Sequence, residues 1–470
     1  MPLFFFVSQR FIVLYVQGVF SYMFSFERGV ERCALMFRVH DKARRMSVEI
    51  FEAGEPYVAD KCYLCGKFQT SKDMKSIKDV NFAGRKVLLR VDFNVPVDEH
   101  KNITDDTRIC EAMPTIDKLL NDGASIILMA HFGRPKKGGF EADLSLKPVA
   151  DYLSGIIKKP VVFTQSLDFT EIKSLANGLK GGDVMMLENI RFYPEETKGD
   201  VEFAKTLASL GDCYVNDAFG AAHREHASTA TIARFFPKDK YFGLLMEHEI
   251  LNLTRLMTKP AKPFTAIIGG SKISSKIDVI KNLLPLVDNL IIGGGMSYTF
   301  AKAAGKRIGN SICEDDKLQV ALDLREEAKK ENVKLYLPVD ILAGDSFSND
   351  CNVKYCSEVD IPDGWEGMDA GDKTIELFGK VILESSTILW NGPVGVFEFE
   401  TFAKGTNSIA EFVAKATEKG AFAAVGGGDS VSAVKKSGFA DKISYISTGG
   451  GAMLEYLEGK TLPGIKAITD

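Results

Sequence analysis

From residue 85 onward, the chain alternates between short, almost wholly apolar runs and longer stretches with apolar residues at every third or fourth position. The runs KVLLRVDF (86–93), SIILMAHF (125–132), DVMMLENI (183–190) and CYVNDAF (213–219) lack the polar alternation of a half-exposed strand. They predict strands buried on both faces. Between them lie amphipathic stretches such as TRICEAMPTIDKLLNDG (107–123) and LKPVADYLSGII (146–157). Strand and helix in turn predict a parallel sheet with helices on both faces. At 243–263, GLLMEHEILNLTRLMTKPAKP breaks the rhythm and reads as one helix, with glycine before it and two prolines after it. The alternation resumes with FTAIIGG (264–270), NLIIGGG (289–295), KLYLPVD (334–340), TILWNGP (387–393), FAAVGGG (422–428) and SYISTGGG (444–451). The expected fold is α/β: two doubly wound parallel-sheet domains joined by a helix, with a cleft between them. The expected divisions are an extension at 1–73, a first domain at 74–242, a helix and linker at 243–262, a second domain at 263–455, and a tail at 456–470 that could return to the first domain.

The extension changes the picture least. MPLFFFVSQRFIVLYVQGVFSYMF is aromatic and apolar, and Arg28, Arg32, Arg38, Arg44 and Arg45 follow it. Such a segment could be a membrane span or a targeting signal. Gln9, Arg10 and Gln17 interrupt it, however, and no basic stretch precedes it. The simpler expectation is a start-site artefact, with translation beginning at Met46 or Met74. The net charge of −5 provides no overall basic field for nucleic acid or an anionic membrane, so any anion site must be made locally. Eight cysteines in 470 residues are too sparse for a disulfide scaffold and favour a reducing compartment such as the cytoplasm. Cys62 and Cys65 form a lone CxxC pair, weak evidence for zinc or redox chemistry.

The candidate chemistry lies at the strand ends, and it differs between the halves. In the first half, RVDFNVP carries Asp92 and Asn94, TDDTRI carries Arg108, AHFGRP carries His131 and Arg134, LENIRF carries Arg191, and NDAFGAAHREHAS carries His223, Arg224 and His226. Four arginines converging on one cleft would hold a small, highly charged anion, because guanidinium forks match phosphate and carboxylate oxygens and keep their charge. His223 and His226 read equally well as structural residues holding the Arg224 loop. In the second half, glycine loops take over. FTAIIGGSKISSKIDVIKNLL reads as a strand, two glycines, and a helix with Lys272 and Lys276 in its first turns, on one side of that helix. The glycine spacings match neither the GxxxxGK[ST] phosphate loop nor the GxGxxG fingerprint. LWNGPVGVFEFE (389–400) offers Asn391, an apolar wall suited to a base ring, and Glu398 suited to a ribose diol. Two other classes compete: a nicotinamide dehydrogenase, which the missing GxGxxG spacing disfavours, and a non-catalytic nucleotide-binding protein.

Taken together, RVDFNVP, HFGRP, LENIRF, NDAFGAAHR, GGSK, WNGPVGVFE, GGGDS and STGGGA, in this order over about 74–470, closely resemble the phosphoglycerate kinase family. The resemblance implies reversible phosphoryl transfer between ATP and the carboxylate of 3-phosphoglycerate, with Mg²⁺, by a monomer that closes about a hinge. It implies substrate contacts at Asp92, Phe93, Asn94, Arg108, His131, Phe132, Gly133, Arg134, Arg191 and Arg224. It implies nucleotide contacts at Lys276, Asn391, Glu398, Gly427, Gly428, Asp429 and Ser430, with Asp429 on the metal. Arg108, Lys272, Gly428 and Gly451 are the implied catalytic residues. Of the glycine triplets, the one at 426–428 is expected to handle nucleotide and metal, and the one at 449–451 to face the transfer. The one at 293–295 is expected to line the base pocket.

Overall fold

The computed structural model describes the backbone of 11–16, 19–28, 31–40 and 45–52, and residues 74–136 and 138–470. Cys62 and Cys65 lie outside the described residues. In the amino-terminal unit, strands β1 (Phe11–Val16), β2 (Val19–Arg28), β3 (Glu31–His40) and β4 (Arg45–Glu52) pair antiparallel in sequence order. Among the described residues, no helix is long and apolar enough to cross a membrane.

The larger unit, Cys62–Asp470, is built on two six-stranded parallel sheets. The first contains β5 (Lys86–Val91), β6 (Ser125–Met129), β7 (Val161–Thr164), β8 (Val184–Leu187), β9 (Cys213–Asp217) and β10 (Lys240–Phe242), in the order β10-β9-β5-β6-β8-β7. The second contains β11 (Phe264–Ile268), β12 (Asn289–Ile292) and β13 (Lys334–Tyr336). It is completed by β17 (Thr387–Asn391), β18 (Phe422–Val425) and β19 (Tyr445–Ile446), in the order β13-β12-β11-β17-β18-β19. This is the doubly wound order in which a ligand crevice opens where the strand order reverses, here between β11 and β17. Three strands were not anticipated from the sequence as a group: β14 (Ile341–Gly344), β15 (Val353–Cys356) and β16 (Glu366–Ala370) form a small antiparallel sheet.

Side chains alternate faithfully across both main sheets. Leu88, Ile127 and Met185 face one core, while Val87, Leu89, Ile126 and Val184 face another. In the second sheet Ala266, Ile268 and Leu290 share the core of Leu88, while Ile267, Ile291 and Trp390 face a core of their own. Each sheet is therefore covered on both faces, which is why its strands read as unbroken apolar runs.

The shared core runs along the helix Leu244–Thr258, which joins the two lobes and contributes Ile250, Leu253 and Leu256. Its start is tied to the first lobe, where Leu244 N–H donates to Thr115 Oγ1 (2.8 Å) and Met246 N–H to Asp217 Oδ1 (3.1 Å). One turn on, the fully enclosed carboxylate of Glu249 turns to the second lobe. It accepts from Thr448 N–H, Thr448 Oγ1 and Ser447 Oγ, each at 2.8 Å, and from the Tyr445 hydroxyl. The helix ends at Thr258, just before Pro260 and Pro263, neither of which can donate a backbone hydrogen bond. The chain crosses back once more. Residues Pro463–Thr469 form a short helix against the first lobe, with Gly464 N–H donating to Ala222 O (2.8 Å) and Lys240 Nζ to Ala467 O (2.8 Å).

Candidate active site

Because all strands of the first sheet are parallel, the segments after β5, β6, β8 and β9 emerge on one edge. Asp92 and Asn94 follow β5, His131 follows β6, Arg191 lies in a single turn of 3₁₀ helix after β8, and Arg224 lies beyond β9. Asn94 Oδ1 accepts from Gly133 N–H (2.8 Å), and Gly133 O accepts from Arg191 Nη1 (2.7 Å). Asn189 binds both backbone groups of Phe132, its Oδ1 accepting from Phe132 N–H (3.2 Å) and its Nδ2 donating to Phe132 O (2.7 Å). Phe93 and Phe132 are buried and belong to the core on one face of the sheet. Arg134, Arg191, Arg224, Lys136, Lys198 and His226 border a cavity of about 540 Å³.

This edge is strongly cationic, and burial and charge favour the neutral form of its histidines. Burial, then the guanidinium of Arg90 and those of Arg191, Arg224 and Arg108, holds His131 well below its ordinary range. Burial, Arg191, Arg90 and Arg224 bring His226 to about 4, and burial and Arg224 lower His223. Burial, Arg224 and Arg90 push even Arg191 down to about 10. Arg191 Nε and Nη2 are buried with no hydrogen-bond partner among the described residues. Donors left unsatisfied in a positive pocket favour an anion. Arg108 stands apart from the other three. It lies in the first turn of the helix Thr107–Asn121, donates to Asp92 Oδ2 (2.8 Å), and borders a second cavity of about 540 Å³ between the lobes. Gly427, Gly428 and Gly450 border that cavity from the other side. His223 also faces the second lobe: a Cβ placed on Gly451 would lie 3.9 Å from its Nε2.

At the reversal point of the second sheet the backbones of Gly269 and Gly392 touch. A Cβ on Gly269 would sit 2.1 Å from Pro393 O, so no other residue fits. Gly270, Gly294, Gly295, Tyr298, Phe347 and Glu398 border a third cavity, of about 560 Å³, which Asp429 also lines. Its walls are glycine backbone and rings, with Phe347 and Phe399 5.1 Å apart between ring centroids. Gly427 has φ of +93°, and a Cβ there would meet Asn391 Nδ2 at 2.8 Å. The next residue, Gly428, opens the helix Gly428–Ser437, and a Cβ on it would meet nothing within 4 Å. The helix therefore starts beside open space, the usual setting for phosphate.

Asn391 is fully buried. It accepts from Lys276 Nζ and donates to Gly426 O (2.6 Å), so it holds the lysine and the loop in place. Ser430 Oγ accepts from Gly392 N–H (2.6 Å) and joins the two loops. Burial lowers Lys276, against the opposing pull of Asp429 and Glu458.

One expectation fails. The helix after β11 is Ile277–Leu283, so Lys276 is its N-cap and Lys272 lies outside it, in the preceding loop. The two lysines do not share a helix face. Ser274 is the reason: its N–H and Oγ both bind the Glu314 carboxylate (3.0 and 2.6 Å), which holds the segment as a turn. The sequence reading also passed over Arg90, wholly buried beside His131, and Glu249 on the linking helix. Arg90 carried a signal, as a charged residue inside an otherwise apolar strand.

The fit to a divalent cation rests on Asp429, an exposed carboxylate at a helix start on the border of the third cavity. Among the described residues, no cluster of three or more His, Cys, Asp or Glu could hold a metal by itself. A single exposed carboxylate at a helix start suits Mg²⁺, which takes one or two protein carboxylates and completes its shell with other oxygens such as water.

Comparison with known proteins follows the same lines. The family model for phosphoglycerate kinase matches residues 77–460. A phosphoglycerate kinase of Porphyromonas gingivalis is 51% identical over 417 residues, covering 84% of this chain and 99% of the relative. One from Chlorobium limicola is 51% identical over 396 residues, with the same coverage of both chains. Among solved structures, phosphoglycerate kinase from Coxiella burnetii superposes with a TM-score of 0.76 at 40% identity, covering 84% of this chain and 99% of that one. The enzyme from Pyrococcus horikoshii superposes with a TM-score of 0.72 at 30% identity, covering 84% and 98%.

Proposed function

We propose the following division of labour for a chain that belongs to the phosphoglycerate kinase family and catalyses reversible phosphoryl transfer between ATP and the carboxylate of 3-phosphoglycerate. The first lobe, 74–242, holds the glycerate. Arg134, Arg191 and Arg224 take its phosphate, and Asp92, Asn94 and His131 take its hydroxyl and carboxylate end. The second lobe, 263–455, holds the nucleotide. Its base lies against Gly294, Gly295 and Phe347, its ribose near Glu398, and its phosphates at Gly427, Gly428 and Lys276. Asn391 and Ser430 act by positioning those groups. Asp429 would hold Mg²⁺, which when bound offsets charge on the nucleotide phosphates and accounts for an acid in an anion-binding loop.

The observation that carries this reading is two unlike cavities, one in each lobe, beside a third lined by both lobes. One is ringed by arginines and one by glycines and aromatic rings, and Arg108 and Gly428 both line the cavity between the lobes. The nucleophile, a carboxylate, is ionised at neutral pH, so the reaction needs no general base. It needs alignment, and charge offset on the travelling group. Arg108 and Lys272 supply cations from opposite lobes, and the N–H groups near Gly428 and Gly451 supply dipoles. Closure about the helix Leu244–Thr258 brings the reacting atoms together and excludes water. The enzyme works as a cytoplasmic monomer. The test is a coupled assay of ATP consumption: turnover that depends on 3-phosphoglycerate is expected, and ATP turnover indifferent to it would overturn the reading.

A further inference from the structure

We propose that Glu196 and Ser228 are positioning residues for His131 and act on it through Arg90, which fixes which ring nitrogen of His131 carries the proton; this rests on the reading that His131 contacts the glycerate. Arg90 lies in β5, two residues before Asp92, and is fully enclosed. Its Nε donates to Ser228 Oγ (2.9 Å), its Nη1 to the Val91 carbonyl, and its Nη2 to His131 Nδ1 (3.0 Å). A guanidinium has only donors and keeps its proton. Nδ1 of His131 must therefore be the lone-pair nitrogen, and the ring proton belongs to Nε2. His131 thus keeps one N–H donor, fixed in place, for an anionic oxygen.

Ser228 and Glu196 hold Arg90 in that role. The Ser228 hydroxyl accepts from Arg90, so its single proton goes elsewhere: it donates to Glu196 Oε1 (2.7 Å). Ser228 N–H donates to Glu196 Oε2 (2.9 Å), so the carboxylate grips the serine at two points. Glu196 is fully buried in the turn Pro194–Thr197. A lone carboxylate there would be costly, and the cation one hydroxyl away is its compensation. Without the relay, His131 has a competing partner: its Nδ1 lies 3.9 Å from Asp92 Oδ1. A proton on Nδ1 would draw the ring toward Asp92, the carboxylate that holds Arg108. The relay keeps Asp92 for Arg108 and His131 for substrate. Neither Glu196 nor Ser228 is a catalytic residue on this account, because both act through Arg90.

The test uses the full chain, with ¹⁵N-labelled histidine, and the variants Ser228→Ala, Ser228→Thr and Glu196→Gln. In the wild type the His131 nitrogens should report a proton on Nε2 and a bare Nδ1. Ser228→Ala and Glu196→Gln should shift the population toward Nδ1–H. They should raise KM for 3-phosphoglycerate about tenfold and leave KM for ATP within about twofold. Ser228→Thr, which keeps the hydroxyl, should restore both readouts. Should Glu196→Gln fail to fold, the serine pair decides alone. A wild-type His131 protonated on Nδ1 overturns the proposal. So does a Ser228→Ala protein with unchanged tautomer and KM, or one in which both KM values rise together. Wild-type protein without 3-phosphoglycerate-dependent turnover, but with the Nε2–H tautomer and its loss in Ser228→Ala, would count against the activity and uphold the relay.

Discussion

Replacing Arg191 by methionine should weaken glycerate binding severely and yet not harm the fold. Among the described residues the side chain makes one hydrogen bond, from Nη1 to Gly133 O (2.7 Å), while Nε and Nη2 are buried without a partner. Each unsatisfied buried donor costs about 1–3 kcal/mol, and the bond to Gly133 returns about 1 kcal/mol. Burial, Arg224 and Arg90 lower its pKa to about 10, so at neutral pH it remains a cation pressed against other cations. Methionine keeps the volume and removes that conflict. The ligand-free variant should therefore melt at the wild-type temperature or a few degrees higher, on the order of 2–4 °C per kcal/mol. Binding is where the loss falls. Two charge-assisted hydrogen bonds to the substrate, at about 1.5–3 kcal/mol each, amount to at least about 3 kcal/mol, or more than a hundredfold in Kd. Calorimetric titration with 3-phosphoglycerate and with ATP, beside thermal melts with and without each, gives all the numbers. ATP affinity should stay within about threefold. A ligand-free melting temperature several degrees below wild type would refute the reasoning, since Arg191 would then be part of the scaffold.

Lys272→Ala should lower kcat about 10²–10³-fold with little change in either KM, as its charge matters most on the travelling phosphoryl group; a rise in KM alone, in steady-state kinetics, would contradict the role. Lys435→Ala cuts a contact across the cleft, where Lys435 Nζ meets Asp105 Oδ2 and Thr107 Oγ1 at 2.6 Å each. The pair is partly exposed, so melting should shift by less than about 1 kcal/mol equivalent, while small-angle scattering should show a larger radius for the ligand-free chain, a difference that 1 M salt removes. Asp369 has one oxygen bound by Gly405 N–H (2.7 Å) and the other buried without a partner among the described residues, and burial raises it from 3.8 to about 7. Between those values the folded chain keeps a proton that the unfolded chain has lost, so stability falls as pH rises through this window. Asp369→Asn should flatten that slope and add up to about 4 kcal/mol at pH 8, measured by denaturant melts across pH; an unchanged slope would mean that Asp369 is ionised in the folded chain.

The two parallel sheets were legible because burial on both faces leaves its mark in consecutive residues. Edges and irregular parts were not. Val161–Thr164 is only partly buried, Lys240–Phe242 is three residues long, and three of the four residues of Val353–Cys356 are exposed. Each is too short or too exposed to stand out as a buried apolar run. The site loops were legible one at a time, since parallel strands must deliver their following residues to one edge. The supports behind them were not, because they join distant parts of the chain: Arg90 to Ser228 over 138 residues, Glu249 to Ser447 over 198. The start of the helix after β11 was misread for the same reason, as Glu314, 40 residues away, holds Ser274 out of it.

The short helix Pro463–Thr469 sets a schedule for synthesis. Asn216 of β9 donates to Gly464 O (3.4 Å) across a separation of 248 residues. At roughly 5–20 residues per second, that segment follows β9 out of the ribosome by roughly 12–50 s. The first lobe, although made first, waits through the whole synthesis of the second before its last piece arrives. During that interval the backbone of Ala222 and the Lys240 ammonium lack the partners they have in the finished fold. The lobe that emerges first is therefore the one that matures last.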